Sequence, residues 1–264
     1  MVLLRHTVVL ASVPRPWLVD ALAVLLESAE SSREEAGRVL LPDGRPLPDV
    51  RLTGGRHLRP GAVYESGGNG DGGTAERVRV TVAQWNRRRA VRLALAVSGA
   101  DGDVAVDGAL HSPDRPRLAE ISGRARAGDV WPALSRVTGA ARLRFDDWWA
   151  AADTGRRPRS APLRARLECG AARAELRAVP RPCRDTGRWE VTVTVRIRGR
   201  RLFRPVAAVA LRLGRRPLRR SLTDTLEDLA ARWNTEVPRL TAMDRETLRR
   251  DVPRRPRARS GQSD

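Results

Sequence analysis

Arg188-Trp189-Glu190-Val191-Thr192-Val193-Thr194-Val195-Arg196-Ile197-Arg198 alternates apolar and polar residues without a slip. A strand turns successive side chains to opposite faces, so Trp189, Val191, Val193, Val195 and Ile197 share a dry face. Glu190, Thr192, Thr194 and Arg196 share a wet one. One dry and one wet face is the pattern of an antiparallel sheet packed on one side, since strands of parallel sheets are apolar throughout.

The same rhythm recurs upstream. Leu163, Ala165, Leu167 and Cys169 point one way, with Arg164, Arg166 and Glu168 opposite, and Gly170 turns the chain into Ala171–Val179. Arg77–Val82 alternates and pairs as a hairpin with Val91–Leu95. Val104–Leu110 adds a strand entered through Asp101-Gly102-Asp103, His6–Leu10 opens the sheet, and Gly61–Tyr64 gives a short strand. Residues 38–60, rich in Gly and Pro, read as an extended or loop segment.

Helical spacing appears in three places. Leu18, Ala21, Leu22, Leu25 and Leu26 follow Trp17 after a Pro14–Pro16 stop. Val206, Val209, Ala210 and Leu213 form a stripe ended by Gly214 and Pro217. Leu218, Leu222, Leu226, Leu229, Ala230 and Trp233 form another, with Asp224, Glu227, Asp228 and Arg232 outside it. Residues 111–160 break the strand rhythm and are expected to be a helical insertion, with Asp129 capping one helix (Trp131, Leu134, Val137) and Asp146 or Asp147 another. The predicted class is α+β: a curved antiparallel sheet gripping a C-terminal helix, as one domain over 1–240. A short helix and basic, disordered tail follow over 241–264.

Two stretches resemble the START/Bet v 1-like helix-grip superfamily (SRPBCC), its polyketide cyclase-like group in particular. His6-Thr7-Val8-Val9-Leu10-Ala11-Ser12-Val13-Pro14-Arg15-Pro16-Trp17-Leu18 is similar to that family's first strand, proline turn and first helix. Val191–Ile197 with Gly199-Arg200-Arg201-Leu202-Phe203-Arg204-Pro205 is similar to its last strand and the approach to the grip helix. The resemblance implies a cavity for a hydrophobic small molecule, with or without cyclase-like chemistry. It supplies no catalytic residue and calls for no cofactor. Trp17, Trp189, Val193, Leu226 and Trp233, on the apolar faces of their elements, are the candidate cavity lining.

Charge suggests a different reading. The net charge is +19 and all 50 basic residues are arginine. With two isoleucines and three asparagines in 264 residues, this is the usage of a GC-rich genome. Residues 1–150 hold 21 Arg against 18 acids, whereas 151–264 hold 29 against 13, so the excess lies in the second half. Arg215, Arg216, Arg219 and Arg220 are the candidate anion contacts there. They define the alternative function: a non-catalytic interaction protein that binds nucleic acid, anionic lipid or an acidic partner.

Other chemistry is thin. His6, His57 and His111 are scattered, and Cys169 and Cys183 lack metal-ligand spacing, so no metal site is expected. Gly67–Gly73 lacks the Lys-Ser/Thr ending of a phosphate loop. Asp146 and Asp147 lie between Phe145 and Trp148-Trp149, where an acid of raised pKa is conceivable but a capped helix is the plainer reading. No apolar run reaches membrane-spanning length and no basic, then apolar leader opens the chain, so a cytoplasmic location is expected.

Overall fold

The computed structural model describes residues 1–67, 77–100, 102–127, 135–184, 187–199 and 215–251. They form one antiparallel sheet of thirteen strands with helices against one face. The first strand, β1 (Val2–Ala11), lies beside the last, β13 (Arg188–Gly199). From β13 the order runs back through β12 (Ala172–Pro182), β11 (Leu163–Glu168), β10 (Arg136–Arg144), β9 (Leu118–Ala127) and β8 (Gly102–His111). It continues through β7 (Ala90–Gly99), β6 (Arg77–Asn86), β5 (Val63–Gly67), β4 (Pro46–Gly54) and β3 (Arg38–Leu40) to β2 (Arg33–Glu35) at the far edge.

The two edges are nevertheless neighbours in sequence, joined by α1 (Arg15–Glu30). Thirteen strands laid flat would span about 58 Å. A sixteen-residue helix and two short connectors reach at most about 48 Å. The sheet therefore has to curl.

Sequence and structure agree closely on the strand quoted first. Its odd-numbered residues pack with Val2, Leu4, Val8 and Ala178 and with Leu218, Leu222, Leu226 and Ala230 of α3 (Arg215–Thr241). Pro217 falls in the first turn of α3 rather than breaking it, because the N–H a proline lacks has no intrahelical partner there. The stripe at Val206–Leu213, the Gly68–Gly73 part of the glycine loop, Asp129, Trp131, Leu134 and the tail beyond Asp251 lie outside the described residues.

The 111–160 stretch is a correction. Among the described residues it supplies strands β9 and β10 and one helix, α2 (Phe145–Thr154). Val137, Gly139, Ala141 and Leu143 alternate with Arg136, Thr138, Ala140, Arg142 and Arg144, a strand pattern diluted by small residues. Val137 is thus in β10 and not in a helix. Nor does either aspartate cap α2: its N-cap is Arg144, with no side-chain cap bond, and both carboxylates lie in the first turn. There they complement the helix dipole and pair outward, Asp146 with Arg15 at 2.7 Å and Asp147 with Arg144 at 2.9 Å. Residues 38–60 hold β3 and β4, the latter turned by Gly55 at φ +76°, where a Cβ would meet the Gly61 carbonyl oxygen at 2.6 Å.

Polar clasps fix the helices. Asn234 of α3 accepts from the Ala11 N–H (2.6 Å) and donates to the Val9 carbonyl (2.8 Å), standing in for a neighbour strand along the edge of β1. His6 meets Glu227 at 2.7 Å. The last helix, α4 (Arg245–Asp251), is tied to α1 through Glu27, which accepts from Arg245 (2.7 Å) and Arg249 (2.6 Å). Those guanidinium groups, the Arg249 hydrogen bond first, hold the Glu27 carboxyl below its ordinary range.

Candidate anion-binding trough

The wet face carries the arginines in rows. Because paired residues stand opposite each other across every ladder, one row can be followed from strand to strand. It runs Arg5, Thr194, Arg177, Arg164, Arg142, Glu120, Ala109, Arg92, from β1 to β7. Arg177, Arg164 and Arg142 are therefore consecutive, each directly opposite the next on adjacent strands. Cross-strand neighbours approach to about 5 Å between Cβ atoms, and like charges so placed are unfavourable.

The adjacent row differs. It reads Arg196, Glu175, Arg166, Ala140, Ser122, Asp107. Glu175 lies 3.1 Å from Arg173 and 3.9 Å from each of Arg166 and Arg177, so one carboxylate is shared by three cations. Among the described residues no carboxylate comes within ion-pair distance of Arg142 or Arg164, and the Arg164 Nε is buried without a hydrogen-bond partner. Desolvation, then the charges of Arg177, Arg142 and Arg144, lowers the Arg164 pKa.

These rows line an open trough of about 820 Å³ that crosses from β6 to β12. Arg142, Arg164, Arg166 and Arg177 bound one side together with Glu175, and Asp107, Glu120 and Ser122 the other together with Arg92. Glu120 is engaged by His111 at 3.0 Å, whereas Asp107 has no partner among the described residues.

The residues expected to line an apolar cavity are placed elsewhere. Trp189 and Val193 are buried in the sheet–helix core, with Leu226 half-buried against it. Trp189 meets Trp148 edge-on, ring centroids 5.9 Å apart. Trp17 is half-buried with its indole N–H unpartnered, and Trp233, 39% exposed, donates to the Ala11 carbonyl. None of the five lines the trough. Of the expected anion contacts, Arg216, Arg219 and Arg220 are exposed at the start of α3, away from the trough; the Arg215 side chain lies outside the described residues.

One further polar cluster, Ser32–His57–Tyr64, has the outline of a nucleophile and its base. Ser32 Oγ is 3.0 Å from His57 Nε2, and Tyr64 Oη is 2.8 Å from Nδ1. Its proton directions argue otherwise. Tyr64 Oη accepts from the Leu58 N–H, and the Ser32 hydroxyl donates to the Ala29 carbonyl. The consistent assignment has Tyr64 donating to Nδ1 and Nε2–H donating to Ser32, so His57 has no free lone pair for the serine proton. The cluster ties the end of α1 to β5. Burial raises the Tyr64 pKa.

Among the described residues no group of His, Cys, Asp and Glu could hold a metal ion, and neither cysteine forms a disulfide. No described helix is long and apolar enough to cross a membrane. Comparison with known proteins finds no significant match: no family model, curated protein or solved structure is similar to this chain.

The trough arginines were half legible. Alternation in 163–169 puts Arg164 and Arg166 on the wet face; nothing local in the sequence says that Arg142 and Arg177 stand beside them. The usable signal was the alternation of Val137, Gly139, Ala141 and Leu143, weakened because two of those residues are Gly and Ala.

Proposed function

We propose that this chain is a binding protein for a small oxyanion-bearing ligand, held in the trough by Arg142, Arg164 and Arg177. The observation that carries the reading is their row: three guanidinium groups opposite one another on adjacent strands, two of them with no carboxylate within ion-pair distance among the described residues. Guanidinium groups match oxyanions in pairs of parallel hydrogen bonds, and a bound anion would remove the repulsion the row carries when empty. A trough of about 820 Å³ suits a small molecule. The reading moves the anion contacts from the start of α3 to the sheet and assigns no reaction.

A second reading keeps the helix-grip resemblance. Its support is the strand order, with β1 beside β13 and the other strands in sequence, and α3 over the dry face at that edge. In that reading a hydrophobic molecule would lodge among Trp17, Trp189, Val193, Leu226 and Trp233. Against it, Trp189 and Val193 are already packed by α2 and α3.

Calorimetric titration at physiological ionic strength separates the two. The expected result is saturable binding of inorganic pyrophosphate that R142A/R164A/R177A abolishes, with no uptake of an apolar fluorescent probe. Probe uptake without pyrophosphate binding would favour the second reading. Tight binding of a short DNA duplex, insensitive to the triple variant, would point to the α3 arginines instead.

A further inference from the structure

The trough is uneven in charge: four arginines and Glu175 stand on one side, and Asp107, Glu120 and a single arginine, Arg92, on the other. Across from the three arginines, β8 and β9 present Asp107 and Ser122 directly opposite each other. Asp107 lacks any partner among the described residues, and Ser122 is exposed. A bare oxyanion explains neither. It would occupy the arginine side and leave a large part of about 820 Å³ facing a free carboxylate that repels it.

Resting on the anion-binding reading, we infer that the trough takes a phosphomonoester of a small polyol, its phosphate on Arg142, Arg164 and Arg177 and its hydroxyl groups on Asp107 and Ser122. Each part of the ligand answers a specific feature. A phosphomonoester carries close to two negative charges at neutral pH and three strong acceptor oxygens, enough for several guanidinium groups together. A carboxylate such as Asp107 can only accept hydrogen bonds, and sugar hydroxyls donate them; Ser122 can do either. The spacing fits too. Arg142 on β10 and Asp107 on β8 are two strands and two residues apart, roughly 12 Å along the sheet, and both side chains reach inward. A phosphorylated five- or six-carbon sugar spans most of that gap.

The arrangement also sets specificity. An inorganic phosphate leaves Asp107 unpaired, and an unphosphorylated sugar leaves the arginine row uncompensated. Only a ligand with both ends satisfies both sides, and a polar site rejects an analogue that leaves its groups without partners more strongly than an apolar site does.

The experiment uses the full chain with two probes, inorganic phosphate and ribose 5-phosphate, titrated against the wild type, D107A, S122A and R164A. The wild type is expected to bind ribose 5-phosphate at least tenfold more tightly than inorganic phosphate. D107A should erase most of that preference and leave phosphate affinity unchanged or slightly improved; S122A should erase less. R164A should weaken both probes together, at least tenfold. Equal wild-type affinity for the two probes, with R164A still weakening both, overturns this inference and leaves the anion site standing. Binding of neither probe, or binding of both unaffected by R164A, overturns the anion site as well. Melting curves of each variant show whether a loss of binding is a loss of fold.

Discussion

Two neighbouring rows on one sheet face use arginine in opposite ways. In one, Arg166 and Arg196 flank Glu175 across the ladders, and Glu175 lies within ion-pair distance of Arg166. In the other, two residues along each strand, Arg142, Arg164 and Arg177 stand opposite one another, with Glu120 beyond Arg142 and Glu175 3.9 Å from Arg177. The first row behaves as an ordinary ion-pair ladder that keeps a wet face soluble and in register. In the second, Arg142 and Arg164 have no carboxylate within ion-pair distance among the described residues. Arginine abundance therefore does not mark a site here, since both rows have it; arginines beyond ion-pair reach of any carboxylate do.

The largest expected effect comes from the dry face that both rows depend on. Val193 is 5% exposed beneath α3, and V193D would bury a carboxylate with no partner, at a cost of several kcal/mol. Loss of a cooperative melting transition is expected; a folded V193D protein would mean that α3 does not seal this edge, and the rows would lose their common scaffold.

A smaller effect should follow from making the balanced row resemble the unbalanced one. E175A leaves Arg166, Arg173 and Arg177 without their shared carboxylate and should cost about 1 kcal/mol by denaturant titration at low salt, with most of the loss recovered at high salt. No loss at low salt would show that the ladder's ion pairs are too well solvated to matter.

The converse substitution should move stability less. R164L removes the central like charge and should change stability by no more than about 0.5 kcal/mol, in the stabilising direction at low salt. Destabilisation by more than that would mean the guanidinium group has a structural partner, and the unbalanced row would cease to be a binding feature.

The smallest effect concerns acid. The Glu27 carboxyl is held below its ordinary range by Arg249 and Arg245, so its clasp contributes fully above the ordinary pKa of 4.5 and is lost as pH falls through the lowered value. Protection from hydrogen exchange in α4, taken relative to the intrinsic rate at each pH, should therefore fall as the pH drops below 4.5 in the wild type and be low at all pH values in E27Q, while the trough strands hardly change. Protection that falls equally in α4 and β11 would show that the sheet, not the clasp, yields first.

The dry face offers the same lesson on a larger scale. At β12, β13 and β1 it is covered by α2 and α3, but Val104, Ile121 and Leu167 further along are 40%, 54% and 55% exposed. Alternation says which residues share a face and not whether a helix lies over it. The sequence carried the antiparallel class, β1, β6 to β8, β11 to β13, α1 and the α3 stripe, because each rests on a local period of two or of about 3.6 residues. It misplaced 111–160, where Gly139, Ala140 and Ala141 blunt the contrast that marks a strand.

What the chain by itself determined is therefore the local periodicity and the sign of its charge: a wet and a dry face for most strands, amphipathic helices at both ends, and an excess of arginine. The order of thirteen strands, the curl forced by one short helix between their edges, and the register that brings Arg142, Arg164 and Arg177 together came only with the tertiary structure. Those three arginines are separated by 22 and 13 residues in the chain. Their meeting depends on two ladders locking in step, and strand pairing between distant segments is chosen by the whole sheet at once, leaving no local trace in any one strand.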